Sequence, residues 1–157
     1  MRLPFVPVAL VMLVGCSALP ATGPLPPPTV DDATVLLNEV IDAGIERDWD
    51  RLCANASGTC AGELDGYEAF APVEPPTIVD VSVAEGDAST SGGVLFVLCG
   101  TDGHRAPYES EVLVFDAGDR LLATAAVYWT GMRIGFAADA GKGVVVGEPN
   151  PVPGRCP

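Results

Sequence analysis

The spacing of apolar residues changes once along the chain, and this change restricts the possible folds more than any other feature. Over residues 29–53, apolar and small residues recur with the i, i+3, i+4 spacing of an amphipathic helix. After a proline-rich break the spacing becomes two, or the run is continuous, in residues 77–83, 94–99, 108–115 and 121–129. Short turn-rich connections between these runs favour an antiparallel meander. The sequence therefore predicts a two-layer α+β domain, with one long N-terminal helix packed on an antiparallel sheet of about four strands.

The predicted helix has a start signal and one well-defined apolar face. Thr29 and Asp32 resemble a capping box in which Asp replaces Glu, and Asp31 and Asp32 suit the positive end of the helix dipole. We expect this face to pack on the sheet; it consists of Ala33, Leu36, Leu37, Val40, Ile41, Gly44, Ile45, Trp49, Leu52 and Cys53. A short helical turn is expected within residues 60–67.

Residues 1–15 have the composition of an export signal. Arg2 precedes an apolar stretch, residues 3–14, which is shorter than the roughly 20 residues that a membrane-spanning helix needs. The following Leu-Val-Gly-Cys at 13–16 resembles a bacterial lipobox, in which the cysteine receives a diacylglyceryl group and becomes the first residue of the mature chain. Two acyl chains hold a protein stably at a bilayer. We predict lipidation of Cys16; the alternative is an ordinary cleaved signal followed by an incidental cysteine.

The expected organisation is a signal peptide at 1–15, the lipidated cysteine and a tether at 16–28, the α+β domain at 29–134, and a Gly- and Pro-rich tail at 135–157. Five prolines among residues 17–28 favour polyproline II, which at about 3.1 Å per residue reaches roughly 35–40 Å. The net charge of −13 is repelled by anionic headgroups. We therefore expect the lipid to hold an exported domain at the extracytoplasmic face of the cell membrane.

Four cysteines remain in the mature domain: Cys53, Cys60, Cys99 and Cys156. An even number in a small exported domain implies disulfides, with three possible connectivities. We favour Cys53–Cys60, which closes a small loop after the helix, and Cys99–Cys156, which joins the tail to the second strand. Zinc binding is disfavoured because there is no CxxC pair and only one histidine. A free Cys156 is the remaining alternative.

Few residues suggest chemistry. The acidic charge argues against nucleic-acid binding, and no catalytic or cofactor-binding motif occurs, so we predict no cofactor and no metal. His104, the only histidine, is either a solvated loop residue or a general base beside Asp102. Asp102 and Glu109 are the other candidate bases; with Glu111 they form either a calcium patch or a solvent face. The candidate ligand contacts are His104 and two adjacent aromatic residues, Tyr128 and Trp129, which are alternatively ordinary core.

The segment Arg47-Asp48-Trp49-Asp50-Arg51-Leu52-Cys53 resembles the nuclear transport factor 2-like (cystatin-like) superfamily, and the layout resembles small exported actinobacterial lipoproteins. The resemblance covers about residues 29–134. It implies that the first helix packs in the hollow of a curved, cone-like antiparallel sheet. The catalytic Asp and Tyr of the isomerase members have no counterpart here, so the resemblance implies a fold and not an activity.

These features favour a non-catalytic, lipid-anchored domain that binds a small ligand or an envelope protein. Two alternatives stay open: a small-molecule enzyme that uses the pocket of the cone, and a purely structural surface lipoprotein. The sequence contains nothing that determines the oligomeric state.

Overall fold

The structure, a computed structural model, describes residues 25–58, 60–86, 91–124, 126–135, 145–147 and 154–156. The predictions for the signal peptide, for Cys16 and for residues 16–24 of the tether lie outside these residues. The helices are α1 (Val30–Glu46), α2 (Trp49–Ala54) and α3 (Cys60–Leu64). The strands are β1 (Thr77–Ala84), β2 (Gly93–Thr101), β3 (Pro107–Asp116), β4 (Leu121–Ala123), β5 (Arg133–Gly135) and β6 (Val145–Gly147).

The main sheet is antiparallel, with its four strands in the order β1-β2-β3-β4. This confirms the predicted α+β class and the meander. The strands β2 and β3 pair from Gly93↔Phe115 to Thr101↔Pro107, so alternate residues of each strand share a face. The predicted tail contributes β6, which pairs antiparallel with β5 in a separate two-stranded sheet.

The predicted helix over residues 29–53 is interrupted. Arg47 adopts a left-handed conformation (φ 58°, ψ 33°), and its N–H donates to backbone carbonyls of the last turn of α1. Asp48 then caps α2, because its side chain accepts from the N–H of Arg51 at 3.2 Å. Asp is a strong N-cap residue, and this local cap replaces the continuation of the helix. Leu52 remains fully buried, so the break preserves the apolar face.

The fourth strand is shorter than predicted. β4 ends at Ala123, and one further backbone bond joins Thr124 N–H to the Leu113 carbonyl. On the other edge of β4, Ala123 exchanges hydrogen bonds with Asn55 and Ser57. Tyr128 and Trp129, expected at the end of this strand, lie in a 3₁₀ turn, Tyr128–Thr130. The chain leaves the sheet here because the consecutive residues Ala126, Val127, Tyr128 and Trp129 all join the core, whereas a strand points successive side chains to opposite faces.

The core lies between α1 and one face of the main sheet. The helix lies across β3 and β4, and Leu37, expected to be a core residue, is fully buried. The other large contributors to this core come from both layers: Val40, Val94, Phe96, Leu98, Val112, Val114 and Tyr128.

Two disulfides join Cys53 to Cys60 and Cys99 to Cys156. This is the pairing that the sequence favoured. Such bonds are typical of oxidising compartments outside the cytoplasm. None of the helices in the described parts of the chain is long and apolar enough to cross a membrane.

Candidate functional site

An open groove of about 670 Å³ lies where the tether meets the domain. One wall is the beginning of α1 and the other is the turn between β3 and β4. The end of the tether closes the groove at one side. Its lining residues are Pro27, Pro28, Thr29, Asp32, Val35, Leu36, Glu39, Asn55, Asp116, Arg120 and Leu121.

The last tether residues are attached to the domain. The Leu25 carbonyl accepts from the N–H of Gly92 at 3.2 Å. A side chain at Gly92 would not fit, because a β-carbon there would lie 2.9 Å from Pro27 Cδ and from two backbone atoms. This close approach brings Pro27 and Pro28 into the lining of the groove.

Thr29 positions the helical wall. Its hydroxyl accepts from the N–H of Asp32 at 3.1 Å and donates to the Asp32 carboxylate at 2.6 Å. The predicted cap is therefore present. The return bond of the capping box runs between the two side chains. The Asp32 side chain is shorter than that of Glu, so its carboxylate accepts from the Thr29 hydroxyl and not from the Thr29 backbone N–H.

The lining of the groove combines apolar side chains with three acidic ones, Asp32, Glu39 and Asp116. Val35, 61% exposed, lies beside the buried Leu36. Across the groove, the Asp116 side chain accepts from the N–H of Gly118 at 2.7 Å, and Ala117 N–H donates to the Arg120 carbonyl. These bonds hold the turn that carries Arg120. The surface suits a ligand with an apolar part and polar or charged ends.

The predicted acidic face of β3 is paired with arginines. Glu109 accepts from Arg133 Nη2 at 3.1 Å, and Glu111 accepts from Arg155 Nη2 at 2.5 Å and from the N–H of Ile134 at 2.9 Å. Glu111 is only 8% exposed, so these side chains form neither a solvent face nor an open calcium patch. Partial burial lowers the pKa of Arg155, but its hydrogen bond to Glu111 and the nearby carboxylates outweigh this and raise the pKa overall.

The pairing of Arg133 and Arg155 with these carboxylates was not predicted from the sequence. The signal that would have revealed Arg155 is its position beside Cys156. The disulfide to Cys99 necessarily brings Arg155 to the partners of Cys99 on the neighbouring strands.

His104 and Asp102 do not form an acid–base pair. Asp102 Oδ1 accepts from the backbone N–H groups of His104 at 2.9 Å and Ala106 at 2.8 Å, so this carboxylate orders its own loop. The exposed His104 ring packs edge-on against Phe70 at 4.6 Å between centroids. The solvated-loop interpretation fits this arrangement better than that of a general base.

Tyr128 and Trp129 are core residues, with exposed fractions of 0% and 2%. Tyr128 Oη donates to the Ile41 carbonyl at 3.2 Å, and Trp129 Nε1 donates to the Tyr67 carbonyl at 3.0 Å. So little ring surface is exposed that their positions do not support the ligand-contact interpretation. Burial raises the pKa of the Tyr128 phenol and, together with the charge of Asp102, that of Tyr108.

No group of three or more His, Cys, Asp or Glu side chains in the described residues could hold a metal ion. Comparisons of the chain with protein-family models, with curated proteins and with solved structures gave no match.

Proposed function

We propose that the protein is a lipid-anchored binding domain at the extracytoplasmic face of the cell envelope. Its ligand, a small molecule or a segment of an envelope protein, binds in the groove beside the tether. The observation that carries this proposal is the composite origin of the groove. Pro27 and Pro28 of the docked tether line, together with α1 and the turn between β3 and β4, an open groove of about 670 Å³, a volume in the range of ligand sites.

The anchor places this groove close to the membrane. In the polyproline II conformation expected from its prolines, the segment from Cys16 to Leu25 would span roughly 28 Å at about 3.1 Å per residue. This is shorter than the 35–40 Å expected when the whole tether is extended, because residues 25–28 lie on the domain. The groove is then within reach of other membrane-bound molecules. The two disulfides fit an exported protein.

We also propose that the domain is a variant of the nuclear transport factor 2-like (cystatin-like) superfamily. The supporting features are the helix–sheet order and the four-stranded meander. In this proposal α1 and α2 together correspond to the long first helix, with its break at Arg47, and the sheet curves around them as a cone.

Substitution of the lipidation site tests the anchor. Cys16→Ser, expressed in a bacterial host, is expected to move the protein from the membrane fraction to the soluble extracytoplasmic fraction and to abolish labelling by a lipid precursor. Ser17→Ala is the control and should leave both unchanged. Membrane retention of the wild type without lipid labelling would contradict the anchor.

Site-specific crosslinking tests the groove. A photoreactive amino acid at Val35 should give a discrete adduct in intact envelopes, and the adduct should weaken when Leu121→Asp alters the opposite wall. Val73 provides the control, since it is also strongly exposed but lies outside the groove. Equal adduct yields from both positions would indicate nonspecific crosslinking and would argue against a groove ligand.

A further inference from the structure

A row of carboxylates crosses the outer face of the main sheet, the face opposite α1. Asp80, Val97 and Glu111 are register partners on β1, β2 and β3. Cys99 and Glu109 form the neighbouring pair on the same face, two residues along β2 and β3. The three carboxylates therefore surround Val97, which is only 1% exposed.

The Arg155 side chain lies over this row and contacts all three carboxylates. Its Nη2 donates to Glu111 Oε1 at 2.5 Å, and its Nη1 lies 3.4 Å from Asp80 Oδ2, so one guanidinium bridges β1 and β3 above β2. Its backbone N–H donates to Glu109 Oε2 at 2.8 Å, and Nε lies 3.6 Å from Glu109 Oε1. A planar group with several donors satisfies these separated acceptors; the compact ammonium of lysine does not have this geometry.

The next residue supplies a covalent link to the same place. Cys156 bonds to Cys99, the register partner of Glu109. The Arg155 side chain is itself 41% exposed, so solvent weakens its ion pair with the exposed Asp80 more than its bonds to the largely buried Glu109 and Glu111. The disulfide adds a covalent constraint that holds residues 154–156 against the sheet.

This disulfide is also the more accessible of the two. Cys99 and Cys156 are both partly exposed, whereas in the other bond only Cys53 is partly exposed and Cys60 is buried. Access to sulfur is one of the factors that set the rate of thiol–disulfide exchange.

We propose that Asp80, Glu109 and Glu111 form an arginine-recognition site, which Arg155 occupies within the same chain and which reduction of Cys99–Cys156 opens to an arginine of a partner polypeptide. In the opening step a dithiol reductant supplies two electrons and two protons. The S–S bond breaks, two thiols form on the protein, and the reductant becomes a disulfide. The site is separate from the groove, and the proposal does not depend on the proposed function.

Disulfide tethering tests the recognition step. In the full chain, Arg155→Ala with Cys156→Ser removes the resident guanidinium and leaves Cys99 as a thiol, while Arg133 still pairs with Glu109. The probes are oxidised dimers of acetyl-Gly-Arg-Cys-amide and of its Lys and Ala counterparts. The Cys99 thiolate attacks the peptide disulfide, one S–S bond forms as another breaks, and the released thiolate takes a proton from water. Intact mass then gives the equilibrium fraction of each adduct.

The Arg peptide should be favoured over the Ala peptide by about tenfold, with the Lys peptide well below Arg, because charge-assisted hydrogen bonds to well-placed carboxylates are strong. Glu111→Gln should abolish most of this preference. Asp80→Asn, at an exposed side chain where folding is not at risk, should reduce it about twofold. The charge-matched control Glu74→Gln should change nothing. Equal fractions for Arg and Ala, or for Arg and Lys, would overturn the arginine site.

Stepwise reduction of the wild type tests the opening. With increasing dithiothreitol, alkylation and peptide mapping should label Cys99 and Cys156 while Cys53 and Cys60 remain bonded and the circular dichroism is native. Labelling of Cys53 and Cys60 first, or labelling of all four only as the domain unfolds, would overturn the release.

Discussion

Gly44, on the buried face of α1, is a position where one added methyl group tests the packing of the core. A β-carbon there would lie 3.0 Å from Tyr128 Oη, 3.1 Å from Tyr128 Cε1 and 3.2 Å from Trp129 Cζ3. These separations are shorter than ordinary carbon contacts, which lie near 3.5–4.0 Å. Gly44→Ala therefore requires the two aromatic rings to move.

The surroundings of the rings resist such a shift. Tyr128 donates to the Ile41 carbonyl, Trp129 donates to the Tyr67 carbonyl, and the two rings pack edge to face with centroids 5.1 Å apart. In a free helix Ala is favoured over Gly by about 1 kcal/mol, whereas overpacking a tight core costs about 1–3 kcal/mol. We expect Gly44→Ala to lower the free energy of unfolding by about 1 kcal/mol as the net of these two effects.

Urea unfolding followed by circular dichroism measures this difference. The control is Asn38→Ala, at an exposed position of the same helix, which should raise stability by up to about 0.7 kcal/mol through helix propensity alone. Tyr128→Phe removes the atom nearest to the new methyl group, so the cost of Gly44→Ala should shrink in that background. If Gly44→Ala stabilises the domain as Asn38→Ala does, the packing argument is wrong.

Three further predictions concern the core, the disulfides and alkaline pH. Leu37→Asp should abolish cooperative thermal unfolding because it buries an unpaired carboxylate. Val35→Asp, at a nearby exposed position of the same helix, should be tolerated. An unchanged melting temperature for Leu37→Asp would reject the assigned helix face. Replacing both cysteines of Cys99–Cys156 with serine should lower the free energy of unfolding, measured in urea, by about 4 kcal/mol. The same change at Cys53–Cys60 should lower it by about 2.5 kcal/mol, because the sequence separations are 57 and 7. A larger loss for the shorter loop would contradict the loop-entropy reasoning. Burial raises the pKa of Tyr108 and Tyr128 in the folded state, so the unfolded chain releases these protons first, and stability, complete below about pH 10, should fall as the pH rises further. Tyr108→Phe should reduce this fall in thermal melts between pH 9 and 11. A pH dependence identical to that of the wild type would refute the prediction.

Several parts of the fold could be predicted because their signals are local. The runs at 94–99 and 108–115 became Gly93–Thr101 and Pro107–Asp116, since alternation and turn residues define a strand within a few positions of itself. The same holds for the Thr29 cap. The favoured disulfide pairing followed from the order of these elements and the position of each cysteine in them.

The failures lie where two local preferences compete or where the partner is distant in sequence. At Asp48 the apolar spacing favours a continuous helix while the side chain favours a cap, and the cap prevails. After β4 the consecutive residues Ala126, Val127, Tyr128 and Trp129 all join the core, which the alternating faces of a longer strand would not allow. Each outcome depends on what packs nearby, which the periodicity of a single segment does not contain.

The candidate sites follow the same division. Alternation alone placed Glu109 and Glu111 on one face of β3, but their pairing with arginines 24 and 44 residues away arises only when the chain returns over the sheet. Pro27 and Pro28 join the lining of the groove because the end of the tether lies against the domain beside Gly92. The sequence by itself determined which elements form and which face of each is apolar, because those preferences act within a few residues. The tertiary structure decided which charges meet and where a cavity opens, because ion pairs and cavities depend on distances between segments that are remote in the chain.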